Sequence, residues 1–132
     1  MAVRRGQSLV GMAVVDAEGV EIGYVAAEEP QALVLGEGSV GRMRLGRRFV
    51  GGVVDRITLS GPAAEVFTGL NVIDSEGEFV GIVRDTMEAE DMLDAFLVED
   101  ESSEMLTVLL EDVRLIDEWV ELSVKGDDLY ES

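Results

Sequence analysis

The sequence predicts an all-β protein, organised as two small β-barrels in tandem that are related by internal duplication. Three observations predict it. Short runs rich in Val, Ile and Leu alternate with Gly-rich turns, and no segment sustains a helical apolar period. The stretch VVDAEGVEIGYV (Val14 to Val25) returns 58 residues later as VIDSEGEFVGIV (Val72 to Val83). The closing strands correspond too: VVDRITLS (Val53 to Ser60) resembles LIDEWVELS (Leu115 to Ser123) once a single inserted residue is allowed near Trp119.

Taken in chain order, the offset of 58 places Gly11, Asp16, Gly19 and Gly23 on Gly69, Asp74, Gly77 and Gly81. Asp16 to Gly19 and Asp74 to Gly77 read as hairpin turns, in which Asp accepts from nearby amides and Gly supplies the positive φ. A metal loop is the functional alternative, but the calcium-loop spacing of alternating oxygen ligands ending in a distant Glu is absent. Gly23 and Gly81 interrupt strands, as a bulge or a sharp corner requires. QALVLGEG and RMRLGRRFVGGVVDRITLS supply further strands of the first unit. GEGSVG (Gly36 to Gly41) fits a dinucleotide-binding pattern, yet no helical face follows it, so a hairpin loop is expected.

SGPAAEV (Ser60 to Val66) reads as a linker. In the second unit, DAFLVEDE and LTVLLEDVRLIDEWVELSV flank the turn SSEM and form a long hairpin, while TMEAEDML (Thr86 to Leu93) has room for one or two helical turns. The tail KGDDLYES is expected to fray. The expected boundaries are 1–62 for the first barrel, 63–124 for the second and 125–132 for an acidic C-terminal tail.

Composition narrows the function classes. His and Cys are both absent, which removes imidazole acid–base chemistry, thiol nucleophiles, disulfides and the usual zinc ligands. No catalytic, cofactor-binding or metal-ligating residue is assigned, no cofactor is expected, and the chain is read as a non-enzyme. No run approaches a membrane span, and a signal h-region is lacking, so a cytoplasmic protein without direct membrane insertion is expected. The 28 acids against 10 bases give a net charge of −18, which repels nucleic acid. Nine of the ten bases are Arg, only Lys125 being Lys. An acid-rich, Lys-poor surface suits life in molar salt, where screening shrinks to about 3 Å. A specific acidic binding face is the other reading, and the two are compatible.

The pattern G-x-x-V-x-D-x-x-G-x-x-[IV]-G-x-V, carried by Gly11, Asp16, Gly19, Gly23 and again by Gly69, Asp74, Gly77, Gly81, with a late V-x-x-[IV]-D strand, resembles the PRC-barrel family. The resemblance covers roughly residues 8 to 60 and 66 to 124. It implies compact barrels used for protein contacts. Within that family, an acidic stand-alone tandem is similar to the archaeal division proteins built only from such barrels. The implied role is a scaffold or adaptor of the FtsZ-based division machinery at mid-cell, binding the membrane anchor SepF, a paralogous PRC-barrel protein, or both, and self-associating into an oligomer or filament. A ribosome-assembly factor that binds a basic ribosomal protein, as the related RimM barrel would imply, is the alternative. Cofactor-dependent electron transfer is a third class, which predicts a coloured protein.

Charge is unevenly divided. Residues 1 to 65 hold seven Arg against eight acids, whereas residues 66 to 132 hold three bases against twenty acids. Arg42, Arg44, Arg47 and Arg48 fall within seven positions, with Arg4 and Arg5 near the start. The four clustered Arg residues are the candidate protein-interaction site, since a guanidinium binds carboxylate bidentately. Pairing with local acids in a surface hairpin is the plainer reading of the same residues.

Overall fold

The computed structural model describes residues 8–37 and 40–130, and among these it is all-β, with twelve strands and one short helix. The first half contains β1 (Ala13–Val15), β2 (Glu21–Glu28), β3 (Ala32–Glu37), β4 (Val40–Gly46), β5 (Val50–Val53) and β6 (Ile57–Leu59). The helix α1 (Ala63–Phe67) leads into β7 (Asn71–Ile73), β8 (Phe79–Ala89), β9 (Met92–Glu99), β10 (Met105–Leu109), β11 (Val113–Ile116) and β12 (Val120–Leu122). Arg4 and Arg5 lie outside the described residues.

The two halves repeat one strand order. In the first, the hydrogen-bonded sequence of neighbours is β5-β6-β1-β2-β3-β4, and in the second β11-β12-β7-β8-β9-β10. Each half therefore sets its closing hairpin directly beside its leading one. β1 pairs in parallel with β6, and β7 likewise with β12. The halves then join edge to edge: Arg44 and Leu45 of β4 lie opposite Leu115 and Ile116 of β11, in parallel. A second junction forms where Glu21 of β2 lies opposite Met92 of β9, and the Glu21 amide donates to the Asp91 carbonyl at 2.9 Å.

Alternation on the strands explains the core. In β4, Met43 and Leu45 are buried while Arg42 and Arg44 are exposed, the period of two that a pleated strand imposes. One apolar cluster runs through both halves and includes Val14, Leu33, Leu45, Phe67, Val83, Phe96 and Ile116. Burial of each such side chain contributes about 1.5–3 kcal/mol. Phe67 joins the halves. Its ring meets Phe49 of the first half edge-on at 5.2 Å and Phe96 of the second at 5.7 Å. The expected linker is thus a short helix that delivers an aromatic anchor.

Three expectations need correction. The closing hairpins hold no inserted residue near Trp119: Val53 pairs with Ile57 and Ile116 with Val120, a spacing of four residues in each case. The difference in length lies in the central hairpin instead. Val25 pairs with Leu35, enclosing nine residues, and its counterpart Val83 pairs with Val98, enclosing fourteen. From there on the correspondence between halves is an offset of 63. The stretch Thr86 to Leu93 contains no helical turn, because β8 and β9 run through it to a two-residue turn at Glu90 (φ 54°) and Asp91 (φ 64°). The tail does not fray up to Tyr130: Gly126–Tyr130 forms a 3-10 turn held to the body by side-chain hydrogen bonds. Residues 38–39 of the GEGSVG loop are outside the described set, and strand β4 follows them where a dinucleotide site needs a helix.

Candidate protein-interaction site

The Asp-x-x-Gly loops are structural staples. Asp16 Oδ1 accepts from the amides of Glu18 and Val20 at 2.9 and 2.8 Å, and its Oδ2 accepts from Ala63 at 2.8 Å. Asp74 repeats the arrangement with Glu76, Glu78 and Gly126 at 2.9, 2.9 and 2.8 Å. Gly19 and Gly77 close the loops with φ of 88° and 83°, values disfavoured for any residue with a Cβ. Gly11 and Gly69 also hold positive φ, just before the leading strands. Each carboxylate therefore ties its turn to the segment that follows the last strand of its own half.

Gly23 and Gly81 both sit beside a register shift, as a bulge requires. Their surroundings differ. A Cβ on Gly81 would strike the backbone carbonyl of Glu99, whereas one on Gly23 would make ordinary contact with Leu35 at 3.5 Å.

The four Arg residues share one exposed run along β4 and the 3-10 turn Arg47–Phe49 but do not form one free patch. Arg44 forks onto Glu29, Nε at 2.8 Å and a second nitrogen at 2.9 Å from its two carboxylate oxygens. The Arg44 guanidinium holds the Glu29 carboxyl below its usual value. Arg47 donates to the Glu29 carbonyl at 2.9 Å and to the Glu28 carboxylate at 3.2 Å. Among the described residues, no carboxylate lies in ion-pair range of Arg42 or Arg48. Arg48 sits 5.7 Å over the Phe49 ring and, with Asp117 and Glu118 of the second half, lines a groove of about 370 Å³. Arg42 reaches a depression of about 270 Å³ beside Asp94 and Glu111. Local pairing thus accounts for two of the four, and two remain presented beside acids of the other half.

A second feature escapes sequence reading. A cleft of about 340 Å³ brings together Asp74, Glu76, Asp100, Glu101, Asp127 and Tyr130, with Lys125 as its single base. In the sequence, Asp100 and Glu101 belong to an acidic run that ends at Glu104. Asp100 in fact repeats the staple geometry, its Oδ1 accepting from Ser102 and Glu104 at 2.8 and 2.9 Å. Ser103 takes the place of the glycine with φ of 66°. The Tyr130 hydroxyl donates to Asp100 Oδ2 at 2.7 Å. That bond lowers the Asp100 carboxyl and, with burial, pushes the Tyr130 hydroxyl up to about 12. The Gly126 and Glu78 amides likewise hold Asp74 below the usual carboxylate range. The only available signal was Asp-x-x-x-Glu (Asp100 to Glu104) at the same register as Asp74 to Glu78, hidden by the missing glycine.

Among the described residues, no group of three or more acidic side chains is arranged to hold a metal ion. No helix among them is long and apolar enough to cross a membrane. Comparison with protein-family models finds none that matches, and comparison with curated proteins finds no match either.

Proposed function

We propose that this chain is a tandem of two PRC-type barrels acting as a non-enzymatic protein adaptor. In this reading it is a scaffold of the archaeal FtsZ-based division machinery, bound to the membrane anchor SepF, to a paralogous PRC-barrel protein, or to both, and able to self-associate. The recurring strand order and the paired Asp staples support the family resemblance.

One observation carries the adaptor reading: the two halves of one sheet present surfaces of unlike charge. The first half presents Arg42 and Arg48, and the second half presents an acidic cleft lined by Asp74, Asp100 and Asp127. Complementary fields of this kind set partner choice and encounter rate, while apolar contact supplies affinity. The exposed Phe79 and Tyr130 at the cleft supply that contact.

The cleft also favours a second reading, in which it receives a basic ribosomal protein as an RNA surrogate. A fluorescently tagged copy expressed at native level in its own cell separates the two. A mid-cell band with co-capture of division-ring components supports the scaffold. Diffuse signal with co-capture of ribosomal proteins overturns it in favour of the assembly factor.

A further inference from the structure

The repeated strand order implies two equivalent junctions between halves, and the chain forms only one of them. β4 pairs with β11. By the offset of 63, the counterpart of β4 is β10 and that of β11 is β5. Yet β10 and β5 are the two ends of the sheet, each with a hydrogen-bonded neighbour on one side only among the described residues. We propose that β5 of one copy of this chain pairs in parallel with β10 of the next, reproducing between molecules the junction that β4 and β11 make within one. The inference refines the self-association named above and leaves partner capture as a separate question.

Three observations select a second copy as the occupant. First, neither edge strand carries a charge or a proline, although β5 is short and has a bulge between Val50 and Gly52. β10 reads MLTVL, with no charge or proline, and β5 reads VGGV, whose glycines leave the backbone bare. Second, the residues flanking the open edges are apolar and presented. At the closed junction, Gly46 makes room for the Asp117 side chain; the counterparts of that pair are Leu109 and Val54, 40% and 79% exposed. Met105, four residues before Leu109 on β10, extends the same apolar strip.

Third, the flanking charges match in the parallel sense. Arg48 precedes β5, while Glu104 precedes β10; Arg56, next to Asp55, follows β5 and Glu111 follows β10. Two β10 edges would instead bring like charges together. The contact is therefore heterologous, and it propagates or closes into a ring.

Light scattering over a range of concentrations, in molar salt and below it, tests the proposal. Mass should rise beyond two copies. Val54→Glu, placed beside Glu111, and Leu109→Lys, placed beside Arg56, should each yield a monomer, and an equimolar mixture of the two should regain self-association, because the intact edges pair and the two introduced charges are opposite in sign. The chain has no cysteine, so Val54→Cys mixed with Leu109→Cys should form one disulfide-linked heterodimer on oxidation, while neither variant alone cross-links efficiently. A wild-type monomer at every concentration overturns the proposal, as does mass unchanged in both charge variants or no cross-link in the cysteine mixture. A wild-type monomer that still captures a partner leaves the adaptor reading standing.

Discussion

Phe67 lies edge-on to Phe96, ring centres 5.7 Å apart, so an aromatic side chain leaving the first half is buried against a strand of the second. Its place in an apolar cluster that runs through both halves predicts that they unfold as one cooperative unit. Phe67→Ala should cost about 3–5 kcal/mol. Urea unfolding followed by far-UV circular dichroism and by Trp119 fluorescence should still show one coincident transition at a lower midpoint. Two separated transitions would mean that the halves are held together more weakly than this packing implies.

The two bulge glycines should respond unequally. Gly81→Ala drives a methyl into the Glu99 carbonyl and should lose about 2 kcal/mol or more, since strand backbone has little room to retreat. Gly23→Ala meets only the Leu35 side chain at ordinary distance and should change stability by less than about 1 kcal/mol. Equal midpoints for the two variants in denaturant would contradict the geometry.

Ser103 occupies the left-handed position that Gly19 and Gly77 fill in the sister loops. Ser103→Gly should therefore stabilise the protein by about 0.5 kcal/mol, the relief of backbone strain outweighing the added freedom of the unfolded chain. Gly77→Ala should destabilise it by about 1–2 kcal/mol. Thermal midpoints of the two variants, taken at one salt concentration, should move in opposite directions.

The C-terminal turn should be sensitive to pH at both ends of the scale. The Tyr130 hydroxyl is raised from 10.0 to about 12, so its bond contributes fully below pH 10 and is lost as the pH climbs through 12. Asp74 and Asp100 are lowered, so their contributions are present above the ordinary value of 3.8 and are lost as the pH falls through their depressed folded values. Absorbance titration of a Tyr24→Phe variant isolates Tyr130 and should give a midpoint near 12. Tyr130→Phe should speed amide exchange across Gly126–Tyr130 at neutral pH.

Legibility followed the range over which each residue acts. The Asp16 and Asp74 turns could be read because their determinants lie within four positions and involve an obligatory glycine. The Asp100 staple went unread because Ser103 accepts the same strained conformation without announcing it. The stretch Thr86 to Leu93 leaves room for helical turns for a related reason: at its tip, two charged residues, Glu90 and Asp91, adopt positive φ where Asn or Gly would be expected. The extra length could not be located from sequence, since lengthening both arms of an exposed hairpin preserves alternation and breaks no pattern. The Arg42, Arg44, Arg47 and Arg48 cluster is visible, but its division into two engaged and two presented side chains depends on Glu28 and Glu29, which only the pairing of β2 with β3 and of β3 with β4 brings near.

The five additional residues of the β8–β9 arm mean that the halves can never be exchanged for one another, however alike their turns. The molecule has a front and a back. A head-to-tail assembly built from it inherits a direction.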